Sequence, residues 1–233
     1  MVDVVRQADF HLDLTAVAAA LTPRTRLVWV AAPNNPTGTP LTPAEAEGLA
    51  ALGIPLVIDE AYAEFSGQSA VPLALRFEHV MVLRTFSKWA GLAGLRVGYG
   101  VFPPVVAEHL LKIKPPYNVN VAAAVAARAA LADRAYREQT VGRILAERER
   151  LAHLLARVPF LEPLPSAANF IFCWVRQGSA RALRDALRQR GVLVRYYATP
   201  LLENAVRISV GRPEDTDRLL AALHALTPEE LAA

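Results

Sequence analysis

The expected fold of this chain follows from one stretch, Val80-Met81-Val82-Leu83-Arg84-Thr85-Phe86-Ser87-Lys88. It begins as an apolar, partly β-branched run that predicts a strand, and it ends at a hydroxyl and an amine. Burial disfavours the charged form of a lysine, and only the neutral amine attacks a carbonyl. A lysine at the end of a buried strand is therefore a candidate for Schiff-base chemistry. The alternative is a lysine whose ammonium group reaches from the strand end back to water.

Lysine is rare in this chain. Among 25 basic residues only Lys88, Lys112 and Lys114 are lysines, and arginine supplies the rest of the positive charge. An arginine side chain stays charged and cannot serve as the amine of an imine. A lysine at this strand end therefore indicates a chemical role.

Composition indicates a globular chain with a substantial core. The chain has 233 residues, of which 53% are hydrophobic and 20% charged, and no segment is long and apolar enough to span a membrane. The N-terminus has no apolar signal-peptide core. The single cysteine, Cys173, lies in an apolar run, excludes an internal disulfide and suits a reducing compartment. We therefore expect a cytoplasmic protein.

Charge and histidine spacing exclude two classes of partner. The net charge of +3 favours small anionic ligands, but the basic residues are dispersed and show no polybasic run, so we expect no nucleic-acid binding. The five histidines lie far apart in the sequence and show no metal-ligand spacing, so we expect no metal site.

Strands and helices alternate on both sides of the central stretch. The expected strands are Val2–Val5, Leu27–Ala32, Ile54–Ile58, the run that leads to Lys88, and Gly98–Phe102. Intervening helices such as 44–52 imply crossover connections and a mostly parallel sheet. Asn35, Asp59 and Lys88 each follow one of three consecutive strands. Because ligands bind at the carboxyl edge of such sheets, we expect these three side chains to share a site.

The second half of the chain predicts a smaller α+β domain. Residues 1–132 form the large domain, a long amphipathic helix within 133–158 connects the two, and residues 159–233 form the small domain. The expected strands of the small domain are Asn169–Val175, Val192–Arg195 and Val206–Val210.

These pieces together resemble the fold-type I pyridoxal-phosphate aminotransferases over essentially the whole chain. The matching motifs are Asn35-Pro36-Thr37-Gly38, Asp59-Glu60-Ala61-Tyr62, Ser87-Lys88 with Arg96, and Val206-Arg207-Ile208-Ser209-Val210-Gly211. Each is weak alone, but their order and spacing are specific. Three further stretches, residues 114–120, 168–171 and 192–197, resemble the histidinol-phosphate aminotransferase subgroup of that family.

The resemblance implies roles for residues around pyridoxal phosphate. Lys88 would bind the cofactor as a Schiff base and move the substrate proton, and Asp59 would keep the ring nitrogen protonated. Asn35 and Tyr62 would hydrogen-bond the ring oxygen, with Tyr62 also counted as catalytic. The residues that would hold the cofactor phosphate are Thr85, Ser87 and Arg96.

The resemblance also implies substrates and a partner. The substrates would be histidinol phosphate and glutamate or 2-oxoglutarate, bound by Arg207 at the carboxylate, by Arg195 and Tyr117 at the phosphate, and by Asn35 and Asn169 along the site. The enzyme would act in histidine biosynthesis as a homodimer. Three alternatives stay open: a threonine-phosphate decarboxylase, an aromatic aminotransferase, and a non-catalytic remnant that holds no cofactor.

One departure from the family pattern concerns the N-terminus. Members of the family have a further N-terminal portion that contributes sheet strands, a phosphate-binding loop and an aromatic side chain stacked on the cofactor ring. If the family strand order holds, one absent strand belongs between Val2–Val5 and Leu27–Ala32. We therefore expect the 233-residue chain alone to hold the cofactor poorly, because part of its binding site would be missing.

Overall fold

A computed structural model describes residues 1–232 of the chain, which divide into two compact units. The first unit contains residues 1–35 and 39–139. The second contains Pro36–Gly38 and the chain from Thr140 onward. The division falls inside the predicted connecting segment 133–158. The division into a large domain, a connecting helix and a small domain stays a prediction.

A four-stranded sheet organises the first unit. Its strands are β1 (Val28–Ala31), β2 (Leu56–Asp59), β3 (Val80–Thr85) and β4 (Gly98–Val101), in the spatial order β1-β2-β3-β4. β1, β2 and β3 are parallel, and β4 runs antiparallel to β3. The predicted mostly parallel sheet is therefore confirmed.

Helices connect and cover these strands. In the first unit they are α1 (Leu14–Ala19), α2 (Pro43–Ala50), α3 (Ala63–Ser66), α4 (Val71–Arg76), α5 (Pro104–Ile113) and α6 (Val121–Ala132). The start of α2 was predicted from its sequence: Thr42 caps it, Pro43 is its first residue, and the Glu45 side chain accepts from the Thr42 amide to complete a capping box. The core of this unit lies where Val30, Ile58 and Val82 of the sheet join Leu49 of α2 in one apolar cluster.

The second unit is an antiparallel sheet with helices. The strands are β5 (Leu161–Pro163), β6 (Phe170–Val175), β7 (Arg195–Tyr196) and β8 (Ala205–Ser209), in the order β5-β6-β8-β7. The helices are α7 (Arg134–Leu155), which enters from the first unit, α8 (Ala180–Gln189), α9 (Pro213–His224) and α10 (Pro228–Ala232). Ile171, Cys173 and Ile208 belong to the core of this unit together with Leu183 and Leu223.

The predicted strand Val2–Val5 is wrong. Residues 1–7 form no regular element, and within the described residues β1 pairs only with β2. An extended segment becomes a strand only when a neighbour satisfies its backbone groups, and this segment has no such neighbour. It is held instead by Arg6, whose Nη1 donates to the Phe10 carbonyl at 2.9 Å and whose Nη2 donates to the Ala31 carbonyl at 3.1 Å.

The predicted strand Val192–Arg195 is largely wrong as well, because β7 contains only Arg195 and Tyr196. Gly191 adopts φ +73° after α8, and the Val192 amide donates to the Leu187 carbonyl at 2.9 Å. This is the closure of a Schellman motif. The start of the expected strand is therefore used to end the helix.

Within the described part of the chain, no helix combines the length and the apolar character that crossing a membrane requires. The cytoplasmic location stays a prediction.

Candidate active site

Polar residues of the first unit lie at the edge where β1, β2 and β3 end. Asp59 is the last residue of β2 and lies in register with Leu83 of β3. Lys88 follows three residues after the end of β3. Asn35 lies in the exposed turn after β1. Since these three strands are parallel, all of these residues lie at the carboxyl edge of one sheet.

Lys88 lies over the ring of Tyr62. Its Nζ is 5.3 Å from the ring centroid, within the range of a cation–π contact. The Tyr62 side chain is buried, with 7% of its surface exposed. The first turn after β2 therefore supports the amine that follows β3.

The expectation that Lys88 ends a buried strand is wrong. β3 ends at Thr85, and Lys88 is exposed. Phe86 and Trp89 occupy the buried positions of this turn, with ring centroids 5.7 Å apart. Because these two aromatic rings fill the interior, Lys88 between them is turned outward. Its exposed side chain suits a group that must receive a ligand.

Two hydroxyls lie beside this lysine. The Thr85 hydroxyl donates to Ser87 Oγ at 2.9 Å, and the Ser87 amide donates to Thr85 Oγ1 at 3.0 Å. Arg96, after a short 3-10 turn, has a left-handed backbone (φ +55°), and its Nη1 donates to the Ala93 carbonyl at 3.0 Å. Its side chain is exposed. Hydroxyls and a guanidinium are donors that an anionic group requires.

Asp59 is tied to the turn that carries Tyr62. Its Oδ1 accepts from the Ala61 amide at 3.1 Å. One carboxylate oxygen thus shapes the turn, and the residue is only partly buried. The arrangement is consistent with a carboxylate that has both a local structural contact and a second oxygen for another role.

A buried ion-pair network lies next to these residues, and the sequence did not reveal it. Arg84 of β3 donates from Nε to Glu60 Oε2 at 2.7 Å, from Nη1 to Glu64 Oε1 at 2.9 Å, and from Nη2 to Ser69 Oγ at 2.9 Å. The other oxygen of Glu60 accepts from the Ala70 amide. One guanidinium therefore joins β3 to the segment that follows β2.

Burial and charge within this network shift the pKa values of its members. Burial alone would lower the pKa of Arg84, but the charges of Glu60 and Glu64 outweigh it and hold the pKa above its usual value. Burial raises the pKa of the Glu64 carboxyl, against the opposing effect of Arg84. Glu64 Oε2 is buried and has no hydrogen-bond partner among residues 1–232, which agrees with that direction.

The sequence carried a signal for this network. Arg84 stands in a run of apolar residues that was predicted to be buried, and a buried arginine requires carboxylate partners. Glu60 lies within the Asp59–Tyr62 motif and Glu64 two residues after it, so that the two glutamates stand four residues apart on either side of Tyr62. That spacing around a turn would have identified them as candidates.

The second unit brings together the two predicted substrate arginines. Arg195 of β7 lies in register with Arg207 of β8, so the two side chains project from the same face of the sheet. The Arg195 guanidinium is 5.4 Å from the Tyr197 ring centroid, and that of Arg207 is 4.8 Å from the Phe170 centroid. Like charges in directly opposed positions are unfavourable, so this pair favours a bound anion.

The remaining predicted residues occupy loops. Tyr117 lies between α5 and α6 in the first unit and is 95% exposed. Asn169 directly precedes β6 in the second unit, and its carbonyl accepts from the Val210 amide at 3.0 Å. Pro36–Gly38 also belongs to the second unit: Gly38 has φ +77°, and a Cβ there would collide with Ser166. Glycine at the end of this motif is therefore required by local packing.

The chain was compared with known proteins. A family model described as aminotransferase class I and II matches residues 2–223. Histidinol-phosphate aminotransferase of Roseiflexus castenholzii is 53% identical over 227 residues, which cover 96% of this chain and 61% of the relative. The enzyme of that name from Dehalococcoides mccartyi is 49% identical over 223 residues, covering 96% and 62%.

A solved structure of the same family has a similar fold. Histidinol-phosphate aminotransferase from Sinorhizobium meliloti, in complex with pyridoxal-5'-phosphate, superposes with a TM-score of 0.86 at 32% identity, covering 99% of this chain and 64% of that one. The predicted fold-type I architecture is thereby confirmed. This chain spans about three fifths of the length of the curated relatives it matches. The chain belongs to the class I and II aminotransferase family.

Proposed function

We propose that this protein is a pyridoxal-phosphate-dependent aminotransferase that transfers the amino group of histidinol phosphate to 2-oxoglutarate. The products are imidazole acetol phosphate and glutamate, and the reaction serves histidine biosynthesis. The observation that carries the proposal is the group of side chains at the ends of β2 and β3, where the exposed Lys88 amine lies over Tyr62. Relatives of 49% and 53% identity that are named for this activity support the choice of substrate.

The residues present fit pyridoxal phosphate. The paired hydroxyls of Thr85 and Ser87, with the exposed guanidinium of Arg96, suit its phosphate. The Asp59 carboxylate suits its ring nitrogen, and the Lys88 amine suits its aldehyde. Each of these groups lies in the first unit.

When bound, the cofactor supplies an aldehyde that condenses with amines and a ring that accepts an electron pair. Lys88 Nζ would take a proton from the substrate carbon that bears the amine and deliver it to the carbon of the former cofactor aldehyde, so that the amino group can leave the substrate. The Asp59 carboxylate holds a proton on the ring nitrogen, because its negative charge favours the protonated ring. Tyr62 and Asn35 donate hydrogen bonds to the ring oxygen.

Two arginines bind the substrate anions. Arg207 binds the carboxylate of glutamate with its planar fork. Arg195 and Tyr117 bind the phosphate of histidinol phosphate, and Asn169 lines the substrate site. The opposed positions of Arg195 and Arg207 support anion binding, since an anion relieves their mutual repulsion.

The protein acts as a homodimer in this proposal. Exposed apolar side chains on α6 and just before it support an interface there, with Val121 80% and Val125 63% exposed. Light scattering on the cofactor-loaded protein measures the mass of the assembly directly. A monomer at micromolar concentration would contradict the homodimer.

Cofactor titration tests the proposed chemistry. The chain is titrated with pyridoxal phosphate, both alone and joined to the portion of the Roseiflexus relative that lies outside the match. We expect the joined protein to turn yellow and borohydride to remove the visible band while fixing the cofactor to Lys88. Peptide mapping that finds the label on Lys112 or Lys114 would contradict the assignment.

Substrate competition separates this activity from its neighbours. The loaded protein is given histidinol phosphate, threonine phosphate and an aromatic amino acid, each with 2-oxoglutarate. We expect glutamate to form fastest from histidinol phosphate. Release of carbon dioxide from threonine phosphate without glutamate would indicate a decarboxylase instead.

A further inference from the structure

Arg84 contacts the residues that lie two positions before and two positions after Tyr62 in the sequence. Its guanidinium binds Glu60, two residues before Tyr62, and Glu64, two residues after it. Arg84 itself belongs to β3, which leads directly to Lys88. The ring and the amine that lies over it are thus held by elements that Arg84 joins.

The strength of this connection follows from its burial. The side chains of Arg84, Glu60 and Glu64 are 13%, 4% and 15% exposed. In such a setting an ion pair is weakly screened and has a defined geometry. Beyond the ladder of β2 and β3, the backbone contributes a contact from the Glu60 amide to the Leu83 carbonyl at 2.9 Å. This backbone bond positions only the start of the turn, because it precedes Tyr62.

We propose that Arg84 is a positioning residue that holds Tyr62 beneath the Lys88 amine by binding the carboxylates on both sides of Tyr62. The proposal rests on the proposed function for its catalytic meaning, since the amine it aligns is the one assigned to the cofactor. Its physical content is the Lys88–Tyr62 geometry, which exists without cofactor. The positioning role and the proposed function can therefore be refuted separately.

The scarcity of lysine permits a direct measurement. Reductive methylation with ¹³C-formaldehyde labels only Lys88, Lys112 and Lys114 and the N-terminus, and it preserves the positive charge. Because Lys88 Nζ lies over an aromatic ring at 5.3 Å, its methyl signals should be displaced upfield by the ring current. Tyr62→Leu assigns the signal, because that displacement disappears with the ring.

Two variants test the role of Arg84. Arg84→Met removes every contact of the guanidinium, and Glu64→Leu removes one contact while leaving Arg84 paired with Glu60. We expect the Lys88 displacement to fall by at least half in both variants. The matched controls are Arg76→Met and Glu47→Leu, which remove an exposed two-bond ion pair of the same unit and should leave the Lys88 signal unchanged.

A purely structural role gives a different result. In that case the variants melt at lower temperature, but the folded protein keeps the full Lys88 displacement, and this outcome would overturn the proposal. If Arg84→Met does not fold, Glu64→Leu gives the decision. A wild-type Lys88 signal without displacement would also overturn it. If the signal moves as expected while no pyridoxal phosphate binds, positioning stands and the proposed function fails.

Discussion

At the scale of single residues, Lys88 is the group on which the proposed reaction depends. Lys88→Ala should abolish both borohydride-trapped cofactor and transamination, and Lys88→Arg should not restore either, because a guanidinium supplies no imine-forming amine. The side chain is exposed, so folding should be unchanged by circular dichroism. A Lys88→Ala protein that keeps multiple-turnover activity would contradict the assignment.

A substitution at Asp59 distinguishes an electronic role of its carboxylate from a structural one. Asp59→Asn keeps an oxygen that can accept from the Ala61 amide, so the turn should persist, but the negative charge is lost. We expect the transamination rate to fall by at least about a hundredfold, the scale of a lost general acid–base or charge-stabilising group. Single-turnover kinetics on the loaded protein measure this. A near-normal rate would leave Asp59 with only its role in the turn.

Arg195 and Arg207 should affect different substrates. Arg195→Ala should raise KM for histidinol phosphate by about thirtyfold, the equivalent of about 2 kcal/mol for a lost charged hydrogen bond. Arg207→Ala should raise KM for 2-oxoglutarate, the co-substrate in the proposed direction, by a similar factor. Steady-state kinetics with each substrate varied in turn measure both. Equal losses on both substrates in both variants would refute this division.

The sequence predicted where the candidate site residues lie better than it predicted what surrounds them. Residues such as Asp59 and Lys88 could be placed at one sheet edge because they directly follow predicted strands. The exposure of Lys88 could not be predicted, since it depends on Phe86 and Trp89 filling the interior. The carboxylates around Arg84 were also missed: their spacing makes them candidates, but only tertiary contacts show which carboxylates reach Arg84.

At the scale of elements, Glu45 connects α2 to the N-terminal segment. Its Oε2 accepts from the Thr42 amide at 2.7 Å, and its Oε1 accepts from the Leu12 amide at 2.8 Å and lies 3.2 Å from His11 Nδ1. Burial opposes the charged form, but hydrogen bonds from Thr42, Leu12 and His11 together lower the pKa of Glu45. The carboxylate therefore stabilises the folded state most when it is ionised.

This gives a pH-dependent prediction. Glu45→Gln should lower the free energy of unfolding by about 2 kcal/mol near neutral pH, as for hydrogen bonds to a charged group. Because the folded pKa lies below the unfolded one, the wild-type advantage is present above the unfolded value near 4.3 and is lost as pH falls through the folded value. Urea titrations across this range measure the difference, with Glu47→Gln as the exposed control. A difference that is constant with pH would refute the role of the charge.

Elements with local signals were predicted well and those without them were not. The capping box of α2 is encoded within a few residues, and this helix was predicted. Whether Val2–Val5 becomes a strand depends on a neighbour elsewhere, which no local pattern reports. β5 was missed because three residues provide too little periodicity.

At the scale of the whole molecule, the outer edge of β1 is the feature that most favours association. Within the described residues β1 pairs only with β2, and Trp29 is 57% and Leu27 45% exposed. Open apolar edges promote association. We expect the 233-residue chain alone to associate in light scattering and to bind pyridoxal phosphate weakly in absorbance titrations.

Adding the portion of the Roseiflexus relative outside the match, fused or as a separate chain, should restore a defined mass and the yellow band. The control is an unrelated polypeptide of similar length, which should do neither. A 233-residue chain that is monodisperse, yellow and active on its own would show that the open edge has no such effect.

The strand order of the two sheets has a consequence for synthesis on the ribosome. In the first sheet, spatial order equals chain order, so each strand that emerges finds its neighbour already made. In the second sheet, β8 lies between β6 and β7, so Arg195 and Tyr196 emerge before the strand that will hold them. Contacts between nearby segments form fastest, and domains fold as the chain emerges. The turn that carries Lys88 can therefore form well before the opposed arginines come together.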